Sequence, residues 1–122
     1  MTTVLIADDE PSLRLLVSAT IASEEYEVIE AMDGDEAWGL IRRHRPTVVL
    51  LDVQMPGQTG LELTRSIRND PDLARTCVIL LTSKAQQTDV QAGLEAAADR
   101  YLTKPFSPLE LLRVVEQAVD RR

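Results

Sequence analysis

"VVLLDVQMPG", Val48 to Gly57, decides how the rest of the chain is read. Its first four residues are β-branched or aliphatic with no polar interruption, the pattern of a strand covered on both faces. The run then ends in one carboxylate, Asp52, and breaks into a loop at Pro56 and Gly57. A buried strand needs no charge at its tip, and a carboxylate left unpaired at the edge of a core is costly. Asp52 therefore marks a place where something else is required.

Working outward, four more apolar runs appear: "TVLIAD" (Thr3 to Asp8), "EVIEA" (Glu27 to Ala31), "CVILLT" (Cys77 to Thr82) and the weaker "DRYLT" (Asp99 to Thr103). With "TVVLLD" (Thr47 to Asp52) they make five predicted strands, and segments of helical period separate them. The first helix starts at Pro11 behind the acidic cap of Asp9 and Glu10, with Leu13, Leu16, Val17 and Ile21 on one stripe. "GDEAWGLIRRH" points Ala37, Leu40 and Ile41 one way and stops before Pro46. Leu63 and Ile67 define a third helix that "NDPD" terminates. A fourth runs from about Thr88 to Ala98, with Val90 and Leu94 inward and Thr88 and Gln91 at capping-box spacing. "SPLE", Ser107 to Glu110, is a fuller capping box, and Leu111, Leu112, Val115 and Val119 follow it.

A β-α unit repeated five times implies right-handed crossovers and a parallel sheet. Closure into a (βα)8 barrel needs about twice this length, so an open, doubly wound sheet is expected. The 122 residues have room for one domain, spanning 1–122. At 44% hydrophobic and 27% charged the composition is that of a folded domain, and no apolar run is long enough to span a membrane. "MTTVLIADD" lacks the basic start and long apolar stretch of a signal peptide, so a cytoplasmic location is expected. The formal net charge of −7 argues against direct nucleic acid binding. Cys77, the one cysteine, excludes an intramolecular disulfide and reads as a small buried residue.

The polar residues that end the strands carry the chemistry. Asp8 and Asp9 end the first, Asp52 the third and Thr82 the fourth, while Lys104 follows the fifth. In a doubly wound sheet these ends share one edge, and ligands bind where the strand order reverses. An order of 2-1-3-4-5 sets Asp8, Asp9 and Asp52 side by side. Like charges at that range oppose each other's ionisation, and a bound cation relieves them. Carboxylates without His or Cys partners select a hard ion such as magnesium, which favours few protein ligands plus a phosphate. An Asp carboxylate can then act as nucleophile toward phosphorus, with Lys104 and the metal neutralising the phosphoryl oxygens and Thr82 donating a hydrogen bond.

At "DDE" (Asp8 to Glu10), "LLDVQMPGQTGLEL" (Leu50 to Leu63), "LLTS" (Leu80 to Ser83) and "DRYLTKPFS" (Asp99 to Ser107) the chain resembles the receiver domain of two-component response regulators, over its whole length. The resemblance implies a flavodoxin-like (βα)5 fold and a phosphorylation-dependent switch. It implies Asp52 as phosphoacceptor, Asp8, Asp9, Asp52 and the backbone carbonyl of Gln54 as ligands of Mg2+ (or Mn2+), and Lys104 and Thr82 as contacts of the phosphoryl group. Thr82 and Tyr101 resemble paired switch residues, and Pro105 a cis-peptide position. Gln54 and Lys84 fall where side chains tune how long an aspartyl phosphate survives. The implied partners are a histidine kinase or phosphotransfer protein and a downstream effector protein or domain. A homodimer through the fourth helix, fifth strand and fifth helix is a further expectation. "LEAAADRY" departs from the commoner family pattern, with Ala97 where glycine is frequent and Arg100 where a second acid is frequent.

Each residue has a plainer reading. Asp8 and Asp9 could cap a helix, Thr82 could be a strand residue, Lys104 a solvated charge and Tyr101 a fixed aromatic. His44, between Arg43 and Arg45, reads as an exposed helix-end residue. The coincidence of Asp8 and Asp9 with Asp52 favours the site. As rivals, an Asp-nucleophile phosphohydrolase typically carries a second acid two residues after the nucleophile, where this chain has Gln54. Its glycines form no nucleotide-binding fingerprint. A non-phosphorylated pseudo-receiver would not need the full acidic set. The expected role is thus a regulatory phosphoacceptor and not an enzyme. The last helix is expected to end the receiver, and either a free-standing regulator or a receiver excised from a longer protein fits that expectation.

Overall fold

A computed structural model describes residues 1–83 and 98–120. The elements are β1 (Thr2–Ala7), α1 (Pro11–Ile21), β2 (Tyr26–Ala31), α2 (Gly34–His44), β3 (Val48–Asp52), α3 (Gly60–Arg68), a 3-10 turn (Pro71–Leu73), β4 (Cys77–Ser83), β5 (Arg100–Lys104) and α4 (Pro108–Asp120). All strand pairs are parallel, in the order β2-β1-β3-β4-β5. The doubly wound flavodoxin-like sheet expected from the sequence is present. Lys84, Ala97 and nearly all of the helix predicted from Thr88 to Ala98, with its Thr88–Gln91 pair, lie outside the described residues.

Each face of the sheet has its own core, because successive strand residues point to opposite sides. Val4, Ile6, Val48, Leu50, Ile79 and Leu81 pack against Val17 and Ile21 of α1 and Leu111 and Val115 of α4. Leu5, Val49, Leu51, Val78 and Leu80 pack against Ala37 and Ile41 of α2 and Leu63 and Ile67 of α3. Every residue of β3 is buried, which is why its sequence is continuous rather than alternating. Cys77 is buried, and burial pushes its thiol up to about 11, so it behaves as a small apolar residue.

Two local expectations need adjustment. α1 begins at Pro11, but no side chain caps it. Asp8 Oδ1 instead accepts the Glu10 backbone N–H at 2.9 Å, within the turn that precedes the helix. β5 starts at Arg100 and not at Asp99, whose carboxylate accepts from Val78 N at 2.8 Å and from Arg68 Nη2 at 2.5 Å. The "SPLE" box forms: Ser107 Oγ accepts from Glu110 N at 3.1 Å and Glu110 Oε1 from Ser107 N at 3.3 Å. His44 is exposed in the last turn of α2, as expected. Among the described residues no helix is long and apolar enough to cross a membrane.

Candidate functional site

β1 and β3 are hydrogen-bonded neighbours in register Ala7↔Leu51, so the residues leaving their C-terminal ends meet. Asp8 is fully buried, Asp52 is 6% exposed and Asp9 is open to solvent. One carboxylate oxygen from each lies within 4.8 Å of the others. Lys104, from the last position of β5, reaches across to them: its Nζ stands 2.8 Å from Asp8 Oδ2 and 3.3 Å from Asp52 Oδ2. Asp52 Oδ1 accepts the Gln54 backbone N–H at 3.3 Å. Sequence reasoning placed these residues at one edge, and the fold groups them there.

One ammonium pairs with two of the three grouped carboxylates, Asp8 and Asp52, and this leaves the pocket electronegative. Burial drives the Asp52 carboxyl up to about 6, the neighbouring Asp8 charge adds to the effect, and Lys104 pulls against both. Burial works against the Lys104 ammonium, but its hydrogen bond to Asp8 and the Asp52 charge outweigh that, and its pKa lies above the ordinary lysine value. A dense set of oxygen donors with too little counter-charge suits a hard divalent cation. The residues present therefore fit magnesium.

Thr82 is buried at the end of β4, one residue beyond Leu81, the register partner of Asp52. Tyr101 pairs with Leu80 and is half-buried against the α2–α3 core, and burial raises its pKa. Gln54 is exposed directly after Asp52 and Val53. The Lys104–Pro105 peptide is cis. Arg14 was not anticipated: its Nη1 donates to the Asp8 carbonyl at 2.6 Å, while its Nε stands 3.5 Å from Glu30 Oε1. The one local signal was its place in the first turns of the helix that follows the acidic pair.

The sequence profile of the response regulator receiver domain family matches residues 4–116. The chain is a response regulator receiver domain. It is 37% identical over 119 residues to the response regulator GtcR of Aneurinibacillus migulanus, an alignment covering 98% of this chain and 48% of that one. The receiver thus spans about half the length of the curated relatives it matches. The chemotaxis response regulator CheY4 of Vibrio cholerae superposes with a TM-score of 0.89 at 35% identity, over 97% of this chain and 98% of that one. The receiver domain of the sensor histidine kinase PA1611 from Pseudomonas aeruginosa, solved with a magnesium ion in its active-site cleft, gives 0.87 at 31% identity over 98% of each chain. Receiver domains are regulatory phosphoacceptors of two-component systems, and they generally bind magnesium at an acidic pocket.

Proposed function

We propose that this receiver is a switch in which Asp52 accepts a phosphoryl group from a histidine kinase or a phosphotransfer protein. The observation that carries the reading is Asp52 at the tip of the central strand, grouped with Asp8 and Asp9 within 4.8 Å and with Lys104 Nζ 3.3 Å away. An Asp52 carboxylate oxygen forms a bond to phosphorus, the bond from phosphorus to the donor breaks, and the donor leaves with the electron pair. Lys104 holds positive charge where the phosphoryl oxygens arrive, and the Thr82 hydroxyl donates to one of them. Asp8, Asp9, Asp52 and the Gln54 carbonyl would hold Mg2+, or Mn2+ in its place. The ion supplies neutralisation of the transferred charge when bound.

The new charge then biases a two-state equilibrium. Thr82 moves toward the phosphoryl group and Tyr101 turns inward behind it. The changed surface comprises β5, α4 and the segment before β5, and an effector protein, an effector domain or a second copy reads it. Gln54, with Lys84 outside the described residues, sets how readily water reaches the acyl phosphate. With Gln54 where a phosphohydrolase would carry its second acid, the site holds the phosphoryl group as a signal and does not turn over substrate. The role belongs in the cytoplasm.

Incubation with acetyl phosphate, with and without Mg2+, followed by intact-mass measurement tests the reading. The wild type gains one phosphoryl group only in the presence of the metal, and Asp52→Asn gains none. Equal labelling of the two proteins would overturn the assignment.

A further inference from the structure

The segment between Asp52 and α3 is seated against a helix that takes no part in the chemistry. Gly34, the first residue of α2, donates its backbone N–H to the Pro56 carbonyl at 2.9 Å. The approach is so close that a β carbon at position 34 would lie 1.8 Å from the Gln58 carbonyl oxygen and 2.6 Å from its nitrogen. Both of those atoms are backbone, so no side-chain rotation relieves the overlap. Gly57 sits at φ +75°, and a β carbon there would meet Asp35 Oδ2 at 2.8 Å. Met55 of the same loop is buried in the α2–α3 core.

The same loop is tied to the carboxylate. Gly60 N donates to the Val53 carbonyl at 3.2 Å, closing the loop at its base. The Gln54 N–H inside it donates to Asp52 Oδ1 at 3.3 Å. The start of α2 is itself firmly set, since Asp33 accepts from Glu36 N and Glu36 accepts from Met32 N, each at 2.8 Å. A capped helix start thus packs closely against a loop that donates a hydrogen bond to one oxygen of the cluster.

We propose that Gly34 is a positioning residue for the carboxylate cluster: its missing side chain lets α2 seat the 53–59 loop, and through the Gln54 N–H that loop orients Asp52. The inference rests on the reading of the cluster as a magnesium site. Gly34 touches neither metal nor substrate, so its effect appears in metal affinity and not in the transfer step. Outer residues that orient ligands typically change metal affinity about 10- to 100-fold when altered.

Gly39 supplies the control. It lies on the same helix, is exposed, and a β carbon there meets nothing within 4 Å. Gly39→Ala thus raises helix propensity without touching the loop. Calorimetric Mg2+ titration of Gly34→Ala/Gly39→Ala against Gly39→Ala reads the coupling. The double variant is expected to bind Mg2+ about 10- to 100-fold more weakly, with its phosphorylation rate at saturating Mg2+ close to that of Gly39→Ala. Equal affinities would overturn the proposal.

Should the double variant fail to fold, hydrogen exchange of the wild type decides, because linkage between two sites is reciprocal. Saturating Mg2+ slows exchange of the Gly34 amide and leaves the Arg45 amide, which donates to the Ile41 carbonyl at the other end of α2, unchanged. An unaltered Gly34 amide in the metal-saturated protein would overturn the proposal. A wild type that binds no Mg2+ would instead remove the reading of the site on which the proposal rests.

Discussion

Asp52 is the residue at which the fold spends stability for chemistry. Burial, with the Asp8 charge beside it, pushes its carboxyl up to about 6 from the 3.8 of an ordinary aspartate. Between those values the folded chain binds more protons than the unfolded one, so this group makes stability fall as pH rises through that window and stay lower above it. Asp52→Asn removes the penalty while Lys104 keeps its closer partner, Asp8. The variant is expected to melt roughly 2–6 °C above the metal-free wild type at pH 7.5, the shift that about 1 kcal/mol produces in a domain of this size. The difference closes near pH 4, and a calorimetric pH series checks it. A lower melting temperature for the variant at pH 7.5 would show that Lys104 compensates Asp52 fully.

Mg2+ acts on the same residue in the opposite direction. A ligand that binds only the folded state adds about 2.7 kcal/mol at one hundred times its dissociation constant. The wild type should therefore gain several degrees on addition of Mg2+, and Asp52→Asn should gain much less. Asp8, Asp52, Thr82 and Lys104 were legible one by one because each ends or follows an apolar run. Arg14 was not, since its meaning depends on the Asp8 carbonyl and on Glu30 of a different strand.

At the scale of the element, helix starts fix where the site loops begin. α3 opens on a capping box that sequence reading passed over: Thr59 Oγ1 accepts from Glu62 N at 3.2 Å and Glu62 Oε1 from Thr59 N at 3.0 Å. The Thr-x-x-Glu signal was present, but it directly follows "MPGQ" and reads locally as loop. Thr59→Ala should lower unfolding free energy by about 1 kcal/mol, and Ser107→Ala by a similar amount, because each strands an amide of the first turn. Urea midpoints check both, and no change in either would mean that water satisfies those amides equally well. The end of α2 was read from "GDEAWGLIRRH" because Pro46 after it is a local signal, whereas its start is fixed by Asp33, whose side chain accepts from Glu36 N. The contact between Gly34 and Gln58 was invisible because it joins a helix start and a loop that only the fold brings together.

At the scale of the molecule, two thin cores share one sheet, and β3 belongs to both. Leu50 faces α1 and α4 while Leu51 faces α2 and α3. Leu50→Ala should cost 2–5 kcal/mol, about the loss seen when buried leucines are truncated. A loss that large from a marginal domain would leave it partly unfolded at 37 °C, which circular dichroism would register. The parallel order was legible because β1, β3 and β4 are continuous apolar runs. The edge strands were fainter: Glu27 and Glu30 interrupt β2, and Arg100 opens β5.

The central claim is that the phosphoryl group resides on Asp52. Phosphorylation with acetyl phosphate and Mg2+, reduction with borohydride and peptide mass mapping locate it, because reduction converts an aspartyl phosphate to homoserine. The account predicts homoserine at position 52 and nowhere else. Homoserine at position 8 or 9, or a phosphoryl group that survives reduction on Thr82 or His44, would contradict it.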